Sequence, residues 1–223
     1  MLNEAGIQTL VMKGMALVVS GLCKPGSRFQ FDYDILVPYD RRLEAITLFE
    51  QAGFKPYFEG GREYHLATSH SVGFVLPEMA KYGSFDVHWF PVAMHKHRSS
   101  NDLFFREKIE VQFNGCRFLT VAPELLLLQT ILHGLKISHT SHTQWVADVA
   151  VILRNYPAFD WKNFARWAEE LSGGYWAKNA FQYLSTLPGL PFLTENQVVA
   201  NLRHGFIEPF AFHFFNREKP GIA

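Results

Sequence analysis

The sequence predicts an α+β protein in which a mixed sheet with flanking helices is followed by a helical region. Short apolar segments of strand length, several of them separated by glycine-containing turns, dominate to about residue 119. From Pro123 onward, longer segments carry apolar residues at helical spacing. We therefore expect an α/β domain over residues 1–120 and a helical domain over residues 121–223.

The expected elements follow from local pattern. In the first half, strands are predicted at residues 7–12, 31–37, 54–58, 63–68, 71–76, 84–90, 110–113 and 117–119, with helices at 15–22 and 40–52. In the second half, helices are predicted at residues 123–136, 143–155, 161–171 and 175–184, followed by an irregular end.

The composition narrows the class of protein. Hydrophobic residues make up 48% and charged residues 19% of the 223 positions, as in ordinary globular proteins. The net charge is zero, which argues against a long nucleic acid as partner. No apolar run approaches the roughly 20 residues that span a bilayer, so no membrane partner is expected. Cys23 and Cys116 form no CxxC pair, which favours reduced thiols and a cytoplasmic location.

Two carboxylates alternate along the second predicted strand. Asp32 and Asp34 share one face, while Phe31, Tyr33 and Ile35 share the other and are expected to face the core. Neighbouring carboxylates repel each other and resist burial, and a divalent cation between them removes both problems. The alternative is the exposed face of an edge strand, where two aspartates cost little.

A third carboxylate lies in the segment Asp86-Val-His88-Trp89. On a neighbouring strand it would complete a two-metal site, which holds the attacking and leaving oxygens in phosphoryl transfer. We therefore expect Asp32, Asp34 and Asp86 to surround one point. His88 shares the face of Asp86, so it contacts metal or phosphate, or else it is a structural histidine packed beside Trp89; the sequence leaves both open.

Cationic groups flank the first turn. Lys13-Gly14 lies where a strand meets a helix, and helix N-termini bind phosphate. Arg28 offers a planar donor fork that suits phosphate oxygens. We expect Lys13 and Arg28 to border the same cleft as the carboxylates and to meet a nucleoside triphosphate there.

In order and spacing, these segments resemble the uncharacterised nucleotidyltransferases of the DNA polymerase β-like superfamily, a group with Lys-Gly at the first strand–helix turn. The matching segments are Leu10-Val-Met-Lys13-Gly14, Arg28 with Asp32-x-Asp34 and Leu36-Val37, Gly53-Phe54, Asp86-Val-His88-Trp89, and His133 through Asp148. Most members of the superfamily have Gly-Gly or Gly-Ser where this chain has Lys13-Gly14. The resemblance also leads us to expect a fragment, or a chain that lacks part of a substrate site.

The resemblance implies a polymerase β-like mixed sheet and a metal-dependent enzyme that transfers a nucleoside monophosphate from an NTP to an acceptor hydroxyl. It implies Mg²⁺ or Mn²⁺ as cofactor and ATP as the expected nucleotide, with a small molecule, a protein or an RNA end as acceptor. It assigns the metal and the catalysis to Asp32, Asp34 and Asp86, and nucleotide binding to Lys13, Gly14, Arg28 and His88.

Two other functions remain open. A non-catalytic module that binds a nucleotide or a partner is favoured by the altered first turn and opposed by the retention of three carboxylates. A toxin-type nucleotidyltransferase acting on tRNA or protein would share the chemistry and arrest growth on expression. For the metal-dependent enzyme, Asp34→Asn is expected to abolish transfer and to maintain or raise metal-free stability, because it relieves repulsion with Asp32.

The remaining polar candidates favour structural roles. The histidine spacings match no closed zinc site. Arg62 and His65 lie on a predicted strand whose exposed face is the simplest explanation. Asp148, in an apolar helix, is expected to bond to a neighbouring helix, with a place facing the cleft as the alternative. The histidines concerned are His95, His97, His133, His139 and His142.

Overall fold

The computed structural model describes residues 1–28, 32–75, 84–135, 143–156, 158–187, 198, 201–205 and 207–209. The chain divides into two compact units, Met1–Ala122 and Pro123–Ala223. The independence of two domains with a boundary at residues 120 and 121 stays a prediction. No helix among the described residues is both long and apolar enough to cross a membrane.

The first unit combines strands with flanking helices, and the predicted α+β class is confirmed. Its strands are β1 (Leu10–Val11), β2 (Asp32–Leu36), β3 (Lys55–Tyr57), β4 (Ser71–Val75), β5 (Ser84–His88), β6 (Lys108–Phe113) and β7 (Cys116–Val121). Its helices are α1 (Lys13–Val19), α2 (Arg42–Gln51), α3 (Arg62–Thr68) and α4 (Arg98–Arg106), with a short 3₁₀ turn at Tyr39–Arg41.

Five strands form one mixed sheet in the order β1-β2-β5-β4-β3. The β2–β5 pair is parallel and the other three pairs are antiparallel. Strands β6 and β7 form a separate hairpin around Asn114-Gly115. Both turn residues have positive φ, as a tight type I′ connection requires.

One face of the sheet carries the hydrophobic core. Ile46 and Phe49 of α2 pack there against Val72, Phe74 and Val87 of β4 and β5. The Phe49 ring lies 4.7 Å from the Phe85 ring, between centroids, which adds aromatic contact to the buried area.

The expectation that Tyr33 faces this core is wrong. Its exposed fraction is 51%, and on β2 the packing against the core begins at Ile35. Phe31, the third residue expected on that face, lies outside the described residues.

The segment at residues 63–68 was expected to be a strand and belongs instead to the helix α3. Gly60 and Gly61, both with positive φ, turn the chain into it. His65 is buried, and its Nδ1 accepts a hydrogen bond from the Glu59 N–H while its Nε2 bonds to the Ser71 carbonyl at 2.8 Å. These contacts with residues before and after the helix hold it in place. They could not be predicted from helix or strand propensity, which depends on neighbouring residues alone.

The sequence did not predict helix α4, because its buried face includes polar side chains as well as apolar ones. The His97 side chain caps its first turn by accepting from the Ser99 N–H. Asn101 is buried: its Nδ2 donates to the carbonyls of Val37 (2.9 Å) and Trp89 (3.0 Å), and its Oδ1 accepts from the Tyr39 N–H (3.2 Å). One amide therefore ties together the chain segments that leave β2 and β5.

The second unit is helical within its described residues. Its helices are α5 (Pro123–Gly134), α6 (Gln144–Asn155), α7 (Trp161–Glu170) and α8 (Gly174–Ser185). Helix α5 is buried along most of its length and contacts the other three. The buried Glu124 accepts from the Asp160 N–H at 2.9 Å, which supports the start of α7. Lys136, His139, His142 and most of the terminal segment lie outside the described residues.

We expect Asn101→Ala to lower the free energy of unfolding by about 2–4 kcal/mol, because it leaves three buried backbone groups without their partner. Urea unfolding followed by tryptophan fluorescence measures the change. Asp102→Ala is the matched control, since Asp102 is the exposed next residue and surface changes stay within about 0.5 kcal/mol. Equal stability of the two variants would contradict the role given to Asn101.

Candidate active site

The candidate site forms where β2 and β5 run side by side. Their parallel register places Asp34 opposite Asp86 and Leu36 opposite His88. Because alternate residues of a strand share a face, the side chains of Asp34, Asp86 and His88 project from the same side of the sheet. Each offers a ligand atom, and these atoms lie within 4.8 Å of one another. Among the described residues they are the only group of three potential metal ligands this close together.

Asp34 is buried, with an exposed fraction of 4%, and is nevertheless charged. Its Oδ1 accepts from the Lys13 ammonium and from His88 Nε2, the latter at 2.8 Å. Burial raises the pKa of Asp34, but the Lys13 ammonium and the His88 hydrogen bond outweigh it and hold that pKa well below its usual range. The expectation that Asp34→Asn maintains or raises metal-free stability stays a prediction, and these attractions, which the change would remove, argue against it.

His88 is the second buried member, with an exposed fraction of 1%. Burial lowers the pKa of His88, and the positive charge of Lys13 lowers it further against the opposing effect of Asp34. The imidazole is therefore neutral. Since ionised Asp34 only accepts hydrogen bonds, the proton lies on Nε2. The other nitrogen, Nδ1, is buried without a hydrogen-bond partner in the described part of the chain.

The position of Lys13 follows from the pairing of β1 with β2. The Met12 N–H donates to the Asp34 carbonyl at 3.0 Å, so the next residue reaches the site. Lys13 has a φ of 50°, an uncommon value for a residue with a β-carbon, and α1 begins there. Its Nζ lies 3.5 Å from His88 Nε2 in addition to its ion pair with Asp34. Lys13 therefore lies among the carboxylates.

Arg28 lies against the same turn. Its guanidinium covers the Cα of Gly14 so closely that a β-carbon there would collide with it. Glycine at position 14 is thus required for Arg28 to lie where it does. The predicted neighbours Lys13, Gly14 and Arg28 occur together in the structure.

Asp32 is not a member of the group whose ligand atoms lie within 4.8 Å of one another, but the charges of that group affect its pKa. Burial and the negative charge of Asp34 raise the pKa of Asp32, with a smaller contribution from Asp86, and the Lys13 ammonium only partly offsets them. The structure thus brings Asp34, Asp86 and His88 into closest contact and leaves Asp32 beside them.

Gly73 is a residue of the site that the sequence did not indicate. It pairs with Asp86 across β4 and β5, and a β-carbon at this position would lie 3.1 Å from Asp86 Oδ1. A glycine inside a predicted strand was the only available signal, because such glycines often mark close approach by another group.

Three other polar candidates have structural partners. Arg62 forms an ion pair with Glu50 at 2.5 Å, and His65 is engaged by the backbone groups that hold α3. Asp148 is buried in α6 of the second unit, where Gln144 donates to it at 3.3 Å.

Residues 1–185 match the family described as "Uncharacterised nucleotidyltransferase". The chain belongs to this family. The resemblance found in the sequence is confirmed, and the transferase class of the enzyme follows from it. No curated protein matches the nucleotidyltransferase in sequence.

Solved structures similar to the nucleotidyltransferase include three of low identity. The lincosamide antibiotic adenylyltransferase LnuA, solved with lincomycin bound, is 15% identical with a TM-score of 0.46 over 68% of this chain and 89% of its own. The antibiotic-resistance factor ANT(2'')-Ia is 12% identical with a TM-score of 0.47 over 69% and 77%. An antigenic nucleotidyltransferase-like protein from Paracoccidioides brasiliensis is 18% identical with a TM-score of 0.44 over 69% and 70%.

We expect Asp32→Asn to raise the melting temperature in EDTA at pH 7 by about 2 °C or more, a shift that a small gain in stability produces in a chain of this size. The raised pKa of Asp32 means that its ionised form opposes folding above the ordinary pKa of aspartate. The gain should disappear below about pH 3, where the carboxyl is protonated in both states. Thermal unfolding at both pH values, with the exposed Asp102→Asn as control, measures it. A lower melting temperature at pH 7 would contradict the assignment.

Proposed function

We propose that the nucleotidyltransferase moves a nucleoside monophosphate from ATP or another NTP to an acceptor hydroxyl and requires Mg²⁺ or Mn²⁺. The observation that supports this is the cluster of Asp34, Asp86 and His88, with Asp32 beside it. The three carboxyl groups outnumber the Lys13 ammonium, which is paired with Asp34, and His88 is neutral. A divalent cation matches that excess.

The donor set fits such an ion. Carboxylate oxygens are the ligands that Mg²⁺ and Mn²⁺ prefer, and an imidazole nitrogen is also a common ligand of transition metals. Asp34 and Asp86 would hold the cation together with His88, the latter in the tautomer that carries its proton on Nδ1, and Asp32 would hold a second one or support the first. A bound divalent cation supplies Lewis-acid stabilisation of the charge that develops on the phosphate oxygens.

The chain's own residues then handle the proton and the leaving group. The acceptor oxygen forms a bond to the α-phosphorus, the bond from that phosphorus to the β-phosphate bridging oxygen breaks, and pyrophosphate leaves with the electron pair. Asp34 Oδ1 already accepts two hydrogen bonds. Asp86 is therefore the carboxylate that we assign to receive the proton of the acceptor hydroxyl.

Lys13 and Arg28 provide positive charge for the triphosphate. The Arg28 guanidinium lies over Gly14, the residue that follows Lys13, so both cations lie at the start of α1. Their N–H groups would neutralise the pyrophosphate as it leaves.

The acceptor that fits best is small or a single end group. The net charge of zero gives the chain no overall attraction to a long nucleic acid. Neither Cys23 nor Cys116 takes part in a disulfide within the described residues, which supports our assignment of the reaction to the cytoplasm.

We expect Asp34→Asn and Asp86→Asn each to reduce transfer at least about 100-fold, the cost typical of losing one electrostatic contributor to a transition state. Each labelled NTP is incubated with Mg²⁺ or Mn²⁺ and a cell extract, and the labelled product is measured. Asp40→Asn is the control, because Asp40 is an exposed aspartate paired with Arg98 on the surface.

Activity of either variant close to that of the wild type would contradict the proposed site. Binding of ATP and Mg²⁺ by the wild type without any labelled product would favour the non-catalytic module instead. Thermal shift with Mg²⁺ and ATP measures that binding, because a ligand that binds the folded state raises the melting temperature.

We expect Arg28→Ala to weaken the binding of ATP with Mg²⁺ by at least about tenfold, since a charged hydrogen bond contributes about 1.5–3 kcal/mol. Isothermal titration calorimetry measures the affinity. Arg117→Ala is the matched control, because Arg117 is an exposed arginine whose partner Glu110 lies 3.5 Å away on the β6–β7 hairpin. Unchanged affinity in Arg28→Ala would remove Arg28 from the nucleotide site.

A further inference from the structure

The Lys13 ammonium contacts the same atoms that are candidates to bind a metal. It is ion-paired with Asp34 Oδ1 and lies 3.5 Å from His88 Nε2, while these two atoms are 2.8 Å apart. Asp34 and His88 are also two of the three members of the metal-ligand group. Lys13 is thus more than a neighbour of the carboxylates, because its ammonium occupies the Asp34 Oδ1 atom that coordination requires.

The Lys13 ammonium and a divalent metal ion cannot both bind these atoms tightly. A divalent ion held by Asp34, Asp86 and His88 would lie next to a fixed ammonium, and like charges at such distances repel strongly in a buried setting. The Asp34 side chain is 5% exposed and that of Lys13 is 15% exposed, so solvent screens the repulsion little. Either the ammonium moves or the metal binds weakly.

Among Lys13, Asp34 and His88, Lys13 has the side chain that can move away from the cluster. His88 is fully buried, and the strand pairing of β2 and β5 holds Asp34 opposite Asp86. A lysine carries its charge on a flexible four-carbon stem with rotatable donors. The ammonium can therefore leave Asp34 while the Lys13 backbone stays at the start of α1.

We propose that Lys13 is an exchangeable counter-ion: it neutralises Asp34 in the metal-free protein, a divalent metal displaces it, and the released ammonium turns to the triphosphate. This inference rests on the metal site of the proposed function. It makes Lys13 oppose metal binding and favour nucleotide binding, so its removal affects the two affinities in opposite directions. A lysine that only binds phosphate would affect the nucleotide alone.

The first test titrates Mn²⁺ alone into wild type, Lys13→Met and the control Lys55→Met, and follows free Mn²⁺ by electron paramagnetic resonance. Lys55 is an exposed lysine of β3. Lys13→Met should bind Mn²⁺ at least about fivefold more tightly, the lower end of ordinary coupling between two sites. It should bind ATP in saturating Mn²⁺ at least about fivefold more weakly, and Lys55→Met should change neither affinity.

The second test uses the wild type only and does not depend on the folding of a variant. Acylation of lysines by an amine-reactive ester is followed residue by residue by mass spectrometry, with and without Mg²⁺. Because Mg²⁺ would release the Lys13 ammonium from Asp34, Lys13 should be acylated at least about fivefold faster with Mg²⁺ than without it, the same factor as for Mn²⁺ affinity. The acylation rate of Lys55 should not change. Mn²⁺ binding that Asp34→Asn abolishes, together with faster Lys13 modification, supports the exchange.

The two proposals fail in different ways. If wild type and Lys13→Met bind Mn²⁺ equally and Lys13 modification does not respond to Mg²⁺, the exchange is wrong and the metal site stands. If neither protein binds Mn²⁺, the metal site and the exchange are both wrong.

Discussion

The parallel pairing of β2 with β5 is the constraint on which the rest of the site depends. It places Asp34 directly opposite Asp86 and brings His88 to the same face. Two carboxylates this close repel each other, and burial makes their charge more costly. The protein therefore has to supply positive charge and hydrogen bonds at this point, and Lys13 and His88 supply them to Asp34.

Much of the first unit holds the β2–β5 pairing in place and positions the groups that compensate the negative charge of Asp34. The Asn101 amide bonds to the chain segments that follow β2 and β5, so a buried polar contact supports the pair from one end. On the opposite face, the core around Phe49 packs against β4 and β5. The small residues Gly14 and Gly73 allow a guanidinium and a carboxylate to approach the backbone. Backbone pairing, aromatic packing and glycine positions thus all act on one cluster of charges.

The two aspartates of β2 show how strongly position within such a cluster matters. Asp34 and Asp32 share a strand and a face, yet their pKa values shift in opposite directions. Asp34 has an ammonium and an imidazole as direct partners, whereas at Asp32 burial and the charge of Asp34 outweigh the opposing effects of Lys13 and His88. The excess negative charge that remains makes the cluster a candidate site for a divalent cation.

The sequence by itself determined the elements that depend on local pattern: the α+β class, the helices of the second half, and the shared face of Asp32 and Asp34, because side-chain periodicity is a property of neighbouring residues. The order of its motifs also indicated the family. Only the tertiary structure decided that His88 joins Asp34 and Asp86, and that Lys13 pairs with Asp34. It likewise decided that residues 62–68 are helical. Strand register and charge pairing join residues up to 75 positions apart, and no local pattern records which of them meet.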